Sequence, residues 1–495
     1  MFGILQCSVS PFNCSINNSF FLQRTPNFHC CCLSSKFPEN QDNSLDGEKG
    51  SSPLILVERY SNGTAKRYVW GEEFSKQTLI DQQSVDDKLR TPDYATNLQW
   101  LPDDIKDFIL PAGFPGSVSD DYLEYMLWQF PTNVTGWMCH ALVTSSLLKA
   151  FGVGSFSGSA AAASAAAIRW VSKDGIGAVG RLIIGGRFGS LFDDDPKQWR
   201  MYADFIGSAG SIFDLTTPIY PTLFLPLASL GNLSKAVARG LKDPSNRVIQ
   251  NHFAVFGNLG EIAAKEEVWE VTAQLFGLGL GILILDAPGI VTSYPALVTT
   301  WLGLRLLHLW LRYQSLSVLK FNTINLKRAR ILAKAHVLHS QVPGCIDCNK
   351  DEQILSWQRF LQPRILFGVP LDQLVGGETS ATMASAQVKK FFNLYTKEKY
   401  ILVAQQWERR DFEVWVSFKA GATSLSALQS VWQAYWLYEN WDSSLDLTKA
   451  LEDSLSCMEG RFDNFMELLE DAGWNIHKIN INVSKEPYIE QFDPS

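Results

Sequence analysis

The chain is 495 residues long, enough for two or three domains and a sizeable buried core. Hydrophobic residues make up 46% and charged residues only 19%, below the roughly 25% common in soluble domains. A net charge of -8, with no Lys/Arg-rich patch to offset it, argues against nucleic acid as a partner, because phosphate neutralisation needs clustered cations.

Residues 1–38 contain no Asp or Glu, two basic side chains (Arg24 and Lys36), and many Ser, Asn, Phe and Cys. Acidic residues begin at once with Glu39, Asp42, Asp46 and Glu48. This composition predicts a plastid transit peptide and acidic linker over residues 1–50, cut between residues 30 and 55. A mitochondrial presequence would carry more Arg, and a secretory signal a longer apolar run. Cys7, Cys14, Cys30, Cys31 and Cys32 fall in the leader, whereas Cys139, Cys345, Cys348 and Cys457 are scattered. That is the pattern of a reduced intracellular protein, not of a disulfide scaffold.

Within residues 51–110, the segments 54–60 and 65–70 flank Asn62-Gly63, whose positive φ angles suit a tight turn, and predict a β-hairpin. Pro92, Pro102, Pro111 and Pro115 make the next stretch an extended approach.

Residues 111–340 predict a mainly α-helical, membrane-associated core rich in small residues. Its first helix starts near Asp120-Asp121, where carboxylates oppose the helix dipole. Gly154 and Gly158 form a GxxxG pair, and residues 159–167 are almost all Ala; both suit close helix packing. Residues 212–233 are apolar but hold Asp214 with Pro218, Pro221 and Pro226, so an irregular or re-entrant segment is expected. Residues 271–304 contain one charge, Asp286, and are broken by Pro288, Gly289 and Pro295. An apolar hairpin over 271–311 that dips into or crosses a bilayer is expected, with Arg305, His308 and Arg312 at its interfacial end.

A Thr/Ser/Ala/Met-rich stretch, 377–387, reads as a linker before a C-terminal α+β domain, 388–495. Segments 400–404 and 412–418 read as strands, 424–441 and 445–469 as helices, and 476–483 as a closing strand, a ββααβ arrangement with Gly473 as a C-cap.

Few motifs carry chemistry. Residues 175–180 match GxGxxG, with Asp193 to Asp195 at nearly the distance of a ribose-binding acid, but no buried strand precedes them. Glycines there suit a turn and close helix packing better. His336, His339, Cys345 and Cys348 have the residue types of a zinc site, but their five-residue spacer is short for one, and a helix end with two free thiols fits better. Asp193 to Asp195 precede Pro196 and read as a helix cap. His140 and His252 lack a readable nucleophile partner. No catalytic, cofactor-binding or metal residue is assigned.

Four strings occur in order: residues 170–181, 195–204, 251–254 and 263–266. They resemble the plant root UV-B sensitive family over about residues 111–338, and more loosely through Gly473-Trp474. The chain departs from the family pattern at 241–247, and Cys345/Cys348 is not a family motif. The resemblance implies membrane segments, plastid location, roles in early seedling development, UV-B response, auxin distribution and vitamin B6 homeostasis, and partnership between family members; it implies no catalytic residues. The expectation is a non-enzymatic, membrane-associated regulator or scaffold that touches lipid. One alternative is a metabolite transporter using Asp286 and Asp214; another is a cofactor-binding enzyme using Lys173.

Overall fold

The computed structural model describes residues 102–150, 191–290, 292–356, 361–374, 381–406, 412–441, 446–483 and 487–490, scattered positions between 175 and 186, and the backbone of three strands between 54 and 80. Residues 1–50, Gly154, Gly158 and the Ala-rich run lie outside them. The strands β1 (Leu54–Arg59), β2 (Thr64–Trp70) and β3 (Ser75–Ile80) form one sheet in that order, so the expected hairpin gains a third strand.

The helical core opens with α1 (Asp103–Ile109) and α2 (Tyr122–Ala150). Next, α3 (Pro196–Thr216) begins where Asp195 Oδ1 accepts the Gln198 amide at 3.1 Å and Pro196, needing no N–H partner, fills the first turn. The capping role expected for this acidic run is what Asp195 performs. After a tight turn, α4 (Phe224–Phe253) returns against α3. The irregularity expected over residues 212–233 is confined to residues 217–223, between two regular helices. Pro218 and Pro221 sit in the turn and Pro226 in the first turn of α4, where a missing N–H breaks no helical bond. A Cβ on Gly210 would lie 2.8 Å from the Gly231 carbonyl oxygen, so glycine is what lets α3 and α4 approach.

The apolar stretch forms two consecutive helices, α5 (Leu259–Asp286) and α6 (Tyr294–Ser317), each packed on α2. At 28 and 24 residues the helices are longer than the apolar halves, because polar turns at their outer ends continue the same helices. Among the described residues, α5 is the one helix long and apolar enough to cross a membrane by length and composition. It lies on α2 through Gly277 and Gly281, where a Cβ would come within 2.6 Å of the Val134 carbonyl and 2.8 Å of Ala141 Cβ. This is the small-xxx-small contact of closely packed helices.

These helices stack side chains in layers. One end is apolar, with Leu142, Leu147, Leu215, Phe224, Leu297 and Trp301, and Tyr294 donates to the Leu215 carbonyl at 2.9 Å. The opposite end packs Tyr122, Tyr125, Phe253, Ile262, Leu316 and Phe321. The layer between them is polar, and it holds the candidate site.

The C-terminal part starts earlier than residue 388. Strand β4 (Ile324–Asn325) and helices α7 (Leu326–His339) and α8 (Cys345–Asp351) precede β5 (Arg364–Phe367), α9 (Ala381–Leu394), β6 (Tyr400–Gln406) and β7 (Phe412–Lys419). Then come α10 (Ser424–Glu439), α11 (Leu447–Asp471), β8 (Ile479–Asn480) and β9 (Tyr488–Ile489). Most of the expected linker lies in α9, since Ala, Met and Gln are helix formers. Strand β7 pairs antiparallel with β6 and parallel with β5 and β9. Along the chain β6, β7, α10 and α11 are followed by two short strands, β8 and β9, and the expected closing strand does not join that sheet. Its two paired residues, β8, run parallel to β4, with Ile324 opposite Ile479. The four residues of β5 and two of β9 are too few to show periodicity, which is why the sheet's parallel strands escape the sequence. One apolar core unites α7, α10, α11 and the sheet around Trp432, Leu402, Val416 and Phe465. Gly473, at φ +83°, ends α11 as expected, and the Trp474 amide reaches back to the Leu469 carbonyl at 3.0 Å.

Candidate functional site

Three helices turn polar stripes toward the middle layer of the core. Arg200, Asp204, Ser211 and Asp214 lie along α3, Lys235, Arg239 and Lys242 along α4, and Arg305, His308 and Arg312 along α6. The spacing of three, four or seven residues puts each set on one helical face. Trp137, His140 and Val143 of α2 form the remaining wall, and the space enclosed is about 560 Å³.

Asp204 is the hub. Its Oδ2 accepts from Arg312 Nε at 2.7 Å and Arg200 Nη1 at 3.1 Å, and its carbonyl accepts from Arg305 Nη2 at 2.7 Å. Arg305 Nε also donates to Ser208 Oγ at 2.5 Å, and Arg312 Nη1 to Gln129 Oε1. His308 Nδ1 lies 2.9 Å from the Thr132 carbonyl, an acceptor only, so that nitrogen carries the proton. His308 Nε2 is 3.6 Å from Asp204 Oδ1. Gly136 leaves room for this ring; a Cβ there would stand 3.3 Å from it.

The charged stripe expected at an interfacial end thus faces the protein interior, with Arg305 half-buried. Arg312 and His308 are buried, while Leu302, Leu306 and Trp310 on the other face of α6 are exposed. The reason is a partner: a carboxylate already inside the core makes a buried guanidinium cheaper than an unpaired one. Six Lys and Arg side chains line the cavity against the three carboxylates Asp204, Asp214 and Glu270, so its walls are electropositive.

A second buried cluster ties the core to the C-terminal part. Glu352 Oε2 accepts from Lys197 Nζ at 3.0 Å and from Arg328 Nε and Nη2 at 3.1 and 3.0 Å, while Asn325 Nδ2 donates to Oε1 at 3.3 Å. Burial alone would raise this carboxyl, but Arg328 and Lys197 outweigh it and hold it at about 2. The adjacent Asp194 is raised to about 6, by burial first and by the charge of Asp195 second.

The residues singled out from sequence are dispersed. Asp214 lines the cavity and pairs with Lys235. Asp286 ends α5 as an exposed residue away from it. His140 is exposed at the cavity, edge-on to Trp137. His252 Nε2 is 3.0 Å from Asp121 Oδ2, fastening α4 to the start of α2. Of the GxGxxG segment, Ala178 to Gly180 are helical, and a Cβ on Gly180 would meet Leu233 at 2.8 Å, a close-packing role. Lys173 lies outside the described residues.

The four metal-type residues are not gathered. His336 accepts from Trp432 Nε1 at 3.0 Å on one nitrogen and faces Asn464 with the other, and His339 is exposed. The Cys345 thiol donates to the Phe321 carbonyl at 3.0 Å. Burial pushes Cys345 up to about 11 and Cys348 up to about 12, away from the thiolate a metal needs.

Comparison with known proteins gives two family matches. Residues 95–340 match a family described as the vitamin B6 photo-protection and homoeostasis domain, and residues 341–485 match the C-terminal region of the root UVB sensitive protein. The chain is 58% identical to protein root UVB sensitive 5 of Arabidopsis thaliana, covering 95% of this chain and 94% of that one. It is 30% identical to protein root UVB sensitive 6 over 69% of this chain and 65% of that one. Identity to protein root UVB sensitive 2, labelled chloroplastic, is 26% over 84% and 89% of the two chains; both proteins are from Arabidopsis thaliana. No solved structure matches.

Proposed function

The chain belongs to the root UVB sensitive family, and on that premise we propose that it is a non-enzymatic regulator seated on a plastid membrane and working with another member of its family. The proposal extends to vitamin B6 homoeostasis, which the description of the matching family names, and to the seedling development, UV-B response and auxin distribution that the resemblance implies.

One observation carries the membrane part. On α5, Leu275, Ile282 and Leu283 are 68%, 64% and 67% exposed, and Phe276 beside them, with Leu302, Leu306 and Trp310 of α6, extends the apolar surface. Large apolar side chains exposed along two helices mark a lipid or protein contact, and the 28 residues of α5 exceed the roughly 20 needed to span a bilayer. The acid-free leader and the chloroplastic label of one relative support the plastid assignment. The test is the full-length protein with a C-terminal fluorescent tag. Fluorescence in plastids and retention in the pellet after carbonate extraction are expected; a cytosolic, extractable protein refutes the reading. Purification from plastid membranes is expected to bring down a second family member.

A second reading, a transporter, is favoured by the polar cavity lying between apolar layers in a bundle with an apolar exterior. Asp214→Asn is then expected to lower uptake by reconstituted vesicles, whereas Asp286→Asn leaves it unchanged. Equal uptake by wild type and Asp214→Asn counts against it.

A further inference from the structure

We propose that the cavity between α2, α3, α4 and α6 binds a phosphate monoester with a small apolar body, the phosphate held by Arg200, Arg239 and Lys242 and the body lying against Trp137 and Val143. The inference rests on the cavity and is independent of whether α5 and α6 meet lipid.

Charge comes first. Asp204 is shared by Arg200 and Arg312, Asp214 pairs with Lys235, and Glu270 lies 3.5 Å from Lys242. With six Lys and Arg side chains lining the space against three carboxylates, a positive excess remains after these pairings, most of which a dianion offsets. Arg200 lines the buried end of the cavity and shares Asp204 with Arg312, so its cationic charge is only partly balanced there.

The mouth of the cavity repeats the pattern. Arg239 is exposed there and has no hydrogen-bond or ion-pair partner among the described residues, and Lys242 stands three residues on, on the same face of α4. Two guanidinium groups and an ammonium converging on one space suit the several oxygens of a phosphate better than the two of a carboxylate. The facing wall, Trp137 with Val143 and Leu147 beside the imidazole of His140, offers an aromatic and apolar surface. A volume of about 560 Å³ falls within the range of small-molecule sites, roughly 300–1,000 Å³. Two sources share this chemistry, a soluble phosphorylated metabolite and the headgroup of a phosphatidic acid.

Calorimetric titration of the purified full-length protein with phenyl phosphate, dihexanoyl phosphatidic acid and benzyl alcohol tests the proposal. Saturable, salt-sensitive binding of one or both phosphates is expected, with benzyl alcohol failing to saturate. Tighter binding of phenyl phosphate assigns a soluble ligand, and tighter binding of phosphatidic acid assigns the lipid. Arg239→Ala is expected to weaken the phosphate by about ten- to a hundredfold, the loss of one charged hydrogen bond, and Arg239→Lys to recover part of it. Because Arg239 is exposed and unpaired, Arg239→Ala should unfold at the wild-type temperature, which separates lost binding from lost fold. Absence of saturable binding by either phosphate overturns the proposal. So does wild-type affinity for phenyl phosphate in both Arg239→Ala and Lys242→Ala.

Discussion

Replacing Glu352 by Gln keeps the side chain's shape and removes its charge. The buried ammonium of Lys197 and guanidinium of Arg328 then lose the carboxylate that neutralises both. The held-down carboxyl, at about 2 against an ordinary 4.5, corresponds to about 3 kcal/mol of stability at neutral pH. Breaking one member of a buried ion cluster typically costs about 3–5 kcal/mol, so the two routes agree. The consequence reaches the cavity, because Lys197 opens α3 and Arg200 and Asp204 follow on the same helix. Urea unfolding followed by tryptophan fluorescence measures the loss. Since the folded carboxyl titrates lower than the unfolded one, its stabilisation is complete above pH 4.5 and disappears as pH falls from 4.5 toward 2. Glu352→Gln should flatten that part of the stability profile. Replacing Lys197, Arg328 and Glu352 together by Met should cost less than the single change, because no charge is stranded. A Glu352→Gln protein within about 1 kcal/mol of wild type at pH 7, with the acid limb intact, would refute the argument.

Asp204→Asn strands Arg200 and Arg312 in the same way and should cost about 3–5 kcal/mol in the same unfolding assay; a loss below about 1 kcal/mol contradicts the hub role. Gly277→Val should cost at least about 1–3 kcal/mol by forcing α5 off α2. Gly279→Val, where a Cβ meets nothing within 4 Å, should be nearly silent, and equal thermal shifts for the two would reject that packing. Asp194→Asn keeps an acceptor for the Leu326 amide, at 3.4 Å, but cannot ionise. Because the Asp194 carboxyl is raised from 3.8 to about 6, it favours the fold below pH 3.8 and loses that advantage as pH rises through 6. The variant should therefore gain on wild type as pH rises between those values, and a constant gap in unfolding midpoint speaks against it. Leu283→Arg, on the exposed face of α5, should release the protein from membranes in carbonate without changing its fold by circular dichroism. Full retention in the pellet removes α5 as the lipid contact.

Short-range signals decided much of this protein before any packing was known. Asp195 before Pro196, Gly473 after a helix, Asn62-Gly63 between strands and the break at 287–293 each act within a few residues, so the sequence displays them directly. The family strings were legible too, because identity is local in the chain. Two kinds of feature were not. Strand β5 and the pairing of β8 with β4 depend on partners dozens to more than a hundred residues away, which no local period encodes. The direction of α6 is the deeper case. Its sequence carries one polar stripe, Arg305, His308 and Arg312, and one apolar stripe, Leu302, Leu306 and Trp310, and hydropathy alone turns the charges outward. The fold turns them inward, because Asp204 on α3 waits there to pair with them and the apolar stripe is left outside. The helices were written in the sequence, while the electropositive cavity exists only because three of them bring their charged faces together.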